Sequence, residues 1–338
     1  MNAFFSTALS LTVIGFVSCS PITELKDLKD LDLSPPVLMG VRTLDSQSLE
    51  LCFNEPATID RETLSIEPNL QTTFLQGDEK VILIGVENQL PGQKYSLKAT
   101  LEDQHHNSVS ILTCFYGFNP QAPVVKINEF TTRGSGNHPD VAELKVLKEG
   151  NMGGLVLYQG TPENWKDRLV FPAFSVSSGD FILVHYKPQG TSDEIDETQQ
   201  KDVSGGYDAS DTAFDFWIQD GGGISGNNGV LSLYERPGGP IIDGILYSNR
   251  TSDSDERYLG FGTKDTMERA LELHESGGWI AEQERIRPED GINPEGSTGT
   301  RSICRRKGDD TDTRLDWYIV PTRHASFGED NSEEVYTP

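Results

Sequence analysis

Val124-Val125-Lys126-Ile127-Asn128-Glu129-Phe130 opens the larger part of this chain and decides how the rest is read. It is a short β-rich run, bounded upstream by the linker Gln121-Ala122-Pro123, and so reads as the first strand of a new unit. Working outward, Pro35-Pro36 introduces a series of strand candidates of similar length. They are Val37 to Val41, Leu49 to Phe53, Leu64 to Ile66, Val81 to Val86, Tyr95 to Leu101 and Val109 to Phe115, separated by turn residues at close intervals. Short strands at regular spacing predict an antiparallel sandwich. The expectation is an all-β chain with two β-sandwiches in series.

Two resemblances sharpen this. The turn Leu90-Pro91-Gly92-Gln93-Lys94-Tyr95, with Asp103-Gln104-His105-His106-Asn107 after it, resembles the Ig-like domains of bacterial surface and S-layer-type proteins over about residues 36–118. The second half resembles a bacterial lamin-tail domain, itself an Ig-like β-sandwich. Ile127-Asn128-Glu129 stands where that family has its first strand, and Val141-Ala142-Glu143-Leu144 where it has Trp-Ile-Glu-Leu. Ser178-Gly179-Asp180-Phe181, Gly229 to Tyr234 and Ile242-Asp243-Gly244 follow in the family's order. Thr300 to Arg305, Asp316-Trp317 and Pro321 through Gly328 and Asn331 close it. The resemblance implies a binding or scaffolding module.

Two insertions depart from the family pattern. The first, roughly Lys187 to Ala213, carries Asp193, Glu194, Asp196, Glu197, Asp202, Asp208 and Asp211 among few apolar residues, which predicts a mobile surface loop. The second, Thr251 to Ser297, contains the best helical signal, Asp265 to Ser276, with Asp265 as N-cap. Met267, Ala270, Leu271 and His274 share one face, and Gly277-Gly278 is the stop. The glycine-rich run Asp220 to Gly229 leads into a strand and not a helix. It is therefore read as a turn feeding a hairpin and not as a phosphate loop.

The amino terminus speaks to location. Met1 to Ser18 carry no Lys, Arg, Asp or Glu, and Cys19 follows Phe16-Val17-Ser18. This reads as a lipoprotein signal cut before Cys19, whose sulfur and new amino group take acyl chains; its relaxed form resembles that of spirochaete lipoproteins. The expected divisions are a signal segment (1–18), a tether (19–34), a first sandwich (35–118), a second sandwich (123–331) and a disordered tail (332–338). The expected site is a bacterial cell envelope, with the protein facing the periplasm or the cell surface.

A formal net charge of −25 and a pI near 4.5 exclude nucleic acid and electrostatic docking on anionic lipid as partners. The membrane link is then the covalent anchor at Cys19, and the expected partners are envelope or host proteins. For Cys52 and Cys114, near the two ends of the first sandwich, two readings stay open: a bridge in an oxidising compartment, or two separate buried thiols. Cys304 is odd. Six histidines show no His-Glu-x-x-His spacing, and no Gly-x-Ser-x-Gly elbow occurs. Asp193/Asp196 and Asp309/Asp310/Asp312 offer oxygen ligands for Ca2+. They lack the Asp-x-Asp-x-Asp-Gly pattern with a trailing Glu, so they are read as solvated charge and no cofactor is expected. Arg301, Arg305, Arg306 and Lys307 form the only basic cluster, cancelled by the acids after it. The functional expectation is a non-catalytic binding, adhesion or scaffolding module. The alternative is a metal-dependent hydrolase built on the insertions of the second sandwich.

Overall fold

The computed structural model describes residues 32–77 and 80–338. The signal segment, Cys19 and most of the tether lie outside them. The described chain is all-β with one α-helix. Its first part has seven strands: β1 (Leu38–Asp45), β2 (Ser48–Phe53), β3 (Thr58–Glu67), β4 (Thr72–Gln76), β5 (Val81–Val86), β6 (Lys94–Glu102) and β7 (Ser108–Tyr116). They form a sheet of order β1-β2-β5-β4 and another of order β3-β6-β7. Strict alternation drives this: Leu49, Leu51 and Phe53 of β2 point inward while Ser48, Glu50 and Cys52 point out. Inward residues of both sheets, including Ile82, Ile84, Tyr95, Leu97 and Phe115, share one core.

The second part has its own, larger core. Its strands are β8 (Val124–Phe130), β9 (Val141–Lys148), β10 (Gly150–Asn151), β11 (Val156–Gly160), β12 (Trp165–Val170), β13 (Ser175–Val176), β14 (Phe181–His185), β15 (Phe214–Trp217), β16 (Asn228–Tyr234), β17 (Ile241–Ser248), β18 (Ile303–Arg305) and β19 (Trp317–Ile319). A six-stranded sheet, β15-β14-β9-β8-β18-β19, faces a four-stranded one, β12-β11-β16-β17. Among the described strands, β14 and β15 alone pair in parallel, which the long connection 187–213 makes possible.

The helix α1 (Lys264–Glu275) begins two residues earlier than the sequence suggests. Thr263 is its N-cap, accepting the Thr266 N–H at 3.2 Å, so Asp265 lies within the first turn. Thr266, Ala270 and Leu273 are its buried residues. Leu273 seats against Gly244 of β17, where any larger residue would collide with its side chain. The glycine-rich run 220–229 is a turn feeding the β16–β17 hairpin, as its sequence predicts.

The acidic insertion is a correction. Its carboxylates are used within the loop: Glu194 accepts the N–H groups of Gln189, Gly190 and Thr191, and the buried Glu197 those of Val203, Ser204 and Asp215. Asp196 accepts the Trp217 N–H. Acidic side chains here replace a missing ladder of backbone bonds, so the loop is built on its own carboxylates.

Residues 332–338 have no regular structure but are tied down. The Tyr336 N–H donates to the Ile319 carbonyl at 2.8 Å, the Tyr336 ring lies under the Arg301 guanidinium, and the Tyr318 hydroxyl donates to the Ser332 carbonyl. Among the described residues no helix is long and apolar enough to cross a membrane.

Candidate functional site

The outer face of the six-stranded sheet is covered by the chain's last segment, and what lies between them is polar. A register shift between Ile127 and Glu129 on β8 turns two successive polar residues, Asn128 and Glu129, into buried positions. Glu143 of β9 is the cross-strand partner of Glu129, and both are fully buried. Glu129 accepts from the Ser302 hydroxyl, from the Ser326 N–H at 2.9 Å and from the Ser326 hydroxyl at 2.7 Å. Glu143 accepts from the Asn128 amide and the Gly328 N–H, both at 2.6 Å. The Asn331 amide donates to the carbonyls of Asn128 (3.2 Å) and Arg305 (2.9 Å). Residues 326–331 thus form a strap whose polar groups are satisfied by the strands beneath.

Burial pushes both carboxyl groups up, and Glu129 beside it pushes Glu143 further, well above the usual carboxylate range. Cys304, opposite Glu129, has its thiol raised by burial first and by the Glu129 charge second. Raised in this way, and buried, it is not an activated nucleophile.

Beside the strap the same face carries a concavity of about 290 Å3 lined by Lys126, Lys145, Arg305, Arg306 and Lys307. Alternation along β9 places Glu143, Lys145 and Leu147 on one side, so this grouping was available from the strand period. Its cations are largely engaged. Arg305 bonds Asp243 and Asp310 at 2.7 Å each, and Lys126 bonds Asp310 at 2.8 Å with Asp243 at 3.6 Å. Lys145 pairs with Asp330, and Lys307 with Glu333 at 2.8 Å. Local cancellation expected from the sequence accounts for Arg305 and Asp310; the other partners come from β17 and the strap. Burial works against the ionised form of Asp310, but the Lys126 hydrogen bond and the Arg305 charge prevail and its carboxyl is lowered.

Asp243, Asp310 and Asp312 have carboxylate oxygens close enough together to hold a metal ion. The two cations already bonded to Asp243 and Asp310 make this an ion-pair network, and a divalent ion would have to displace both. Asp309 is not in this group, and Asp193 and Asp196 form no such group among the described residues.

The histidines do not assemble a catalytic set. His185 bonds Asp215 at 2.7 Å and stacks on Trp217, but the pair is sealed from solvent. Asp215 accepts from the Ser210 N–H, fixing the insertion on β15. His138 bonds Asp208 at 2.8 Å at the rim of another concavity. His105 and His106 lie in the turn closed by Asp103, as the sequence suggests.

The Cys52–Cys114 bridge is not formed; both are free thiols. Cys52 is outward on β2 beside Glu50, and Cys114 is exposed on β7 beside Ser96. Neither is the buried thiol of the other reading, because the apolar neighbours in each strand take the inward positions.

Fold and site together define an all-β chain whose larger sandwich is closed by a buried polar strap. The chain belongs to the family described as TP_1001_2nd, protein second domain, whose model matches residues 123–319. It is similar to an uncharacterized protein of Treponema pallidum (strain Nichols), 25% identical over 196 residues, covering 58% of this chain and 50% of that one. The chain therefore spans about half the length of the curated relative it matches, a spirochaete protein.

Proposed function

We propose that this is an exported protein, lipid-anchored at Cys19 to a bacterial envelope membrane, that acts as a non-catalytic binding, adhesion or scaffolding module. In this reading an Ig-like sandwich precedes a lamin-tail-like one, and the partners are envelope or host proteins. The uncharged run Met1 to Ser18 before Cys19 supports export and anchoring. The observation that carries the non-catalytic part is the use made of chemically capable side chains. Glu129, Glu143 and Asp243 are buried and spend their carboxylates on holding the strap and β8, and His185 and Asp215 are buried against each other under the acidic loop. General acid–base work needs such groups within reach of a substrate.

Detergent phase partition with acyl labelling tests the anchor. The full chain enters the detergent phase and takes up label, and Cys19→Ala loses both; a variant that stays in detergent refutes the anchor. A screen of the purified chain against peptide, ester, glycoside and phosphodiester substrates, with and without Ca2+ and Zn2+, tests the rest. Turnover abolished by changing a single Asp, Glu or His refutes the module.

A further inference from the structure

The seam between the two sandwiches is held by specific contacts. The Asn119 amide donates to the carbonyls of Asn151 (2.6 Å) and Gly153 (2.9 Å), and the Arg236 guanidinium lies over the Phe118 ring. Gly92, at φ +69°, presses on the Gly153–Gly154 backbone so closely that any Cβ there would collide. Next to these contacts is a cleft of about 220 Å3 with walls from both sandwiches. Arg42 on β1 and Lys94 at the start of β6 face it from one side, Arg168 on β12 and Arg236 in the β16–β17 turn from the other. Tyr116 adds an aromatic side chain to the wall.

The charge of this cleft is opposite to that of the molecule. Four cations line it, and no carboxylate does among the described residues, in a chain of formal charge −25. Arg42 is bonded to Glu50, and Arg236 has Glu235 at 3.4 Å. Lys94 and Arg168 have no carboxylate at ion-pair distance among the described residues; Arg168 instead lies 4.5 Å over the Trp165 ring. Arg42 and Arg236 are thus offset, while Lys94 from one sandwich and Arg168 from the other lack a carboxylate partner and repel across a seam that the other contacts hold shut. The basic concavity at the strap differs in degree: Lys126, Lys145, Arg305 and Lys307 there all have acidic partners, and Asp310 itself lines it.

We propose that this cleft binds a small ligand through a phosphate monoester group. Arginine forks match phosphate oxygens in pairs while lysine supplies a point charge, and the four cations suit a dianion better than a single carboxylate. The volume lies below the ~300 Å3 at which drug-sized sites begin, so the ligand is small. The chain's formal charge of −25 disfavours an extended polyanion. The phosphate belongs either to a soluble ester or to a lipid headgroup, and both present the same chemistry. This site is independent of the anchor and of the strap.

The test uses the full chain in mild uncharged detergent, with calorimetry and melting at low ionic strength. The probes are inorganic phosphate, glycerol phosphate, dihexanoyl phosphatidic acid, and acetate as the monoanion control. Phosphate probes bind and raise the melting temperature, and acetate does not. Lys94→Gln with Arg168→Gln weakens binding by about tenfold or more, since each charged hydrogen bond is worth that order. Lys307→Gln, in the other concavity, leaves binding unchanged. Tighter binding of the phosphatidic acid assigns the site to a headgroup, and equal binding assigns it to a soluble ester. Equal binding of acetate and phosphate overturns the proposal, as does unchanged affinity in a double variant whose circular dichroism matches the parent chain.

Discussion

Glu129 and Glu143 face each other across β8 and β9 with no exposure to solvent, two carboxyl groups in one buried pair. Like charges this close and this dry cannot both ionise cheaply, so the folded protein holds a proton there that the unfolded chain releases near pH 4.3. The sign of the pH effect follows. A folded pKa above the unfolded one gives stability that is complete below the unfolded value and is lost as pH rises through the folded value. Each pH unit crossed between the two withdraws about 1.4 kcal/mol. Melting curves from pH 5 to pH 9 are expected to show a falling midpoint, and Glu143→Gln to flatten that fall whatever it does to the absolute midpoint. An equally steep fall in the variant would place the titrating group elsewhere.

The Asp243 network predicts an asymmetry between its two cations. Asp243 is fully buried and accepts from Arg305 and from the Ile127 N–H, while Lys126 stands 3.6 Å off. Removing Arg305 leaves a buried charge short of its best partner, which costs about 3–5 kcal/mol. Lys126→Met costs less, because the half-exposed ammonium is the weaker contact. Adding Asp243→Asn to Arg305→Leu recovers part of the loss. Urea midpoints of the four proteins decide this; equal losses for Arg305→Leu and Lys126→Met would contradict it.

Much of the fold was legible because alternation and turns are local signals. The six strands expected in the first sandwich all exist, with their ends shifted by a few residues, and only β4 (Thr72–Gln76) gives too weak an apolar pattern to be read. The acidic insertion was misread because composition counts charges but not their targets. Glu194 and Glu197 turn inward onto backbone N–H groups, which no hydropathy pattern records. The strap had a partial signature: Asn128, Glu129, Glu143, Gly328 and Asn331 all lie in the stretches that resemble a lamin-tail domain. Their convergence depends on a chain segment returning from some two hundred positions away, so the sequence alone offers the residues without the contact.

Asn331 tests the strap directly. Its amide donates to two backbone carbonyls, those of Asn128 and Arg305, and its side-chain oxygen accepts from the Asn128 amide. Asn331→Ala takes this donor from the Asn128 and Arg305 carbonyls, at about 1–3 kcal/mol for each left unpaired, while the Asn128 amide keeps its bond to Glu143. A loss of at least about 2 kcal/mol in denaturant unfolding is expected. Faster amide exchange in β8 and β18 should accompany it, with β2 and β5 of the first sandwich unaffected. A variant as stable as the parent chain would show that the last segment merely lies on the sheet.

The three described thiols should separate by accessibility. Cys114 is exposed on β7, Cys52 is half-buried beside Glu50 and Arg42, and Cys304 is fully buried among Tyr318 and Val320. Reaction with a maleimide requires the thiolate and a path to it, and Cys304 has neither, since burial and the Glu129 charge raise its pKa. In the native protein at pH 7.5, Cys114 is expected to label first and Cys52 more slowly, because burial and Glu50 raise the Cys52 thiol. Cys304 should label only in denaturant. Peptide mapping after timed quenching reads all three positions at once. The same map, run without reductant on protein taken directly from cells, also tests the free-thiol state. A linked Cys52–Cys114 peptide would mean that β2 and β7 approach one another in a way this arrangement of sheets does not allow.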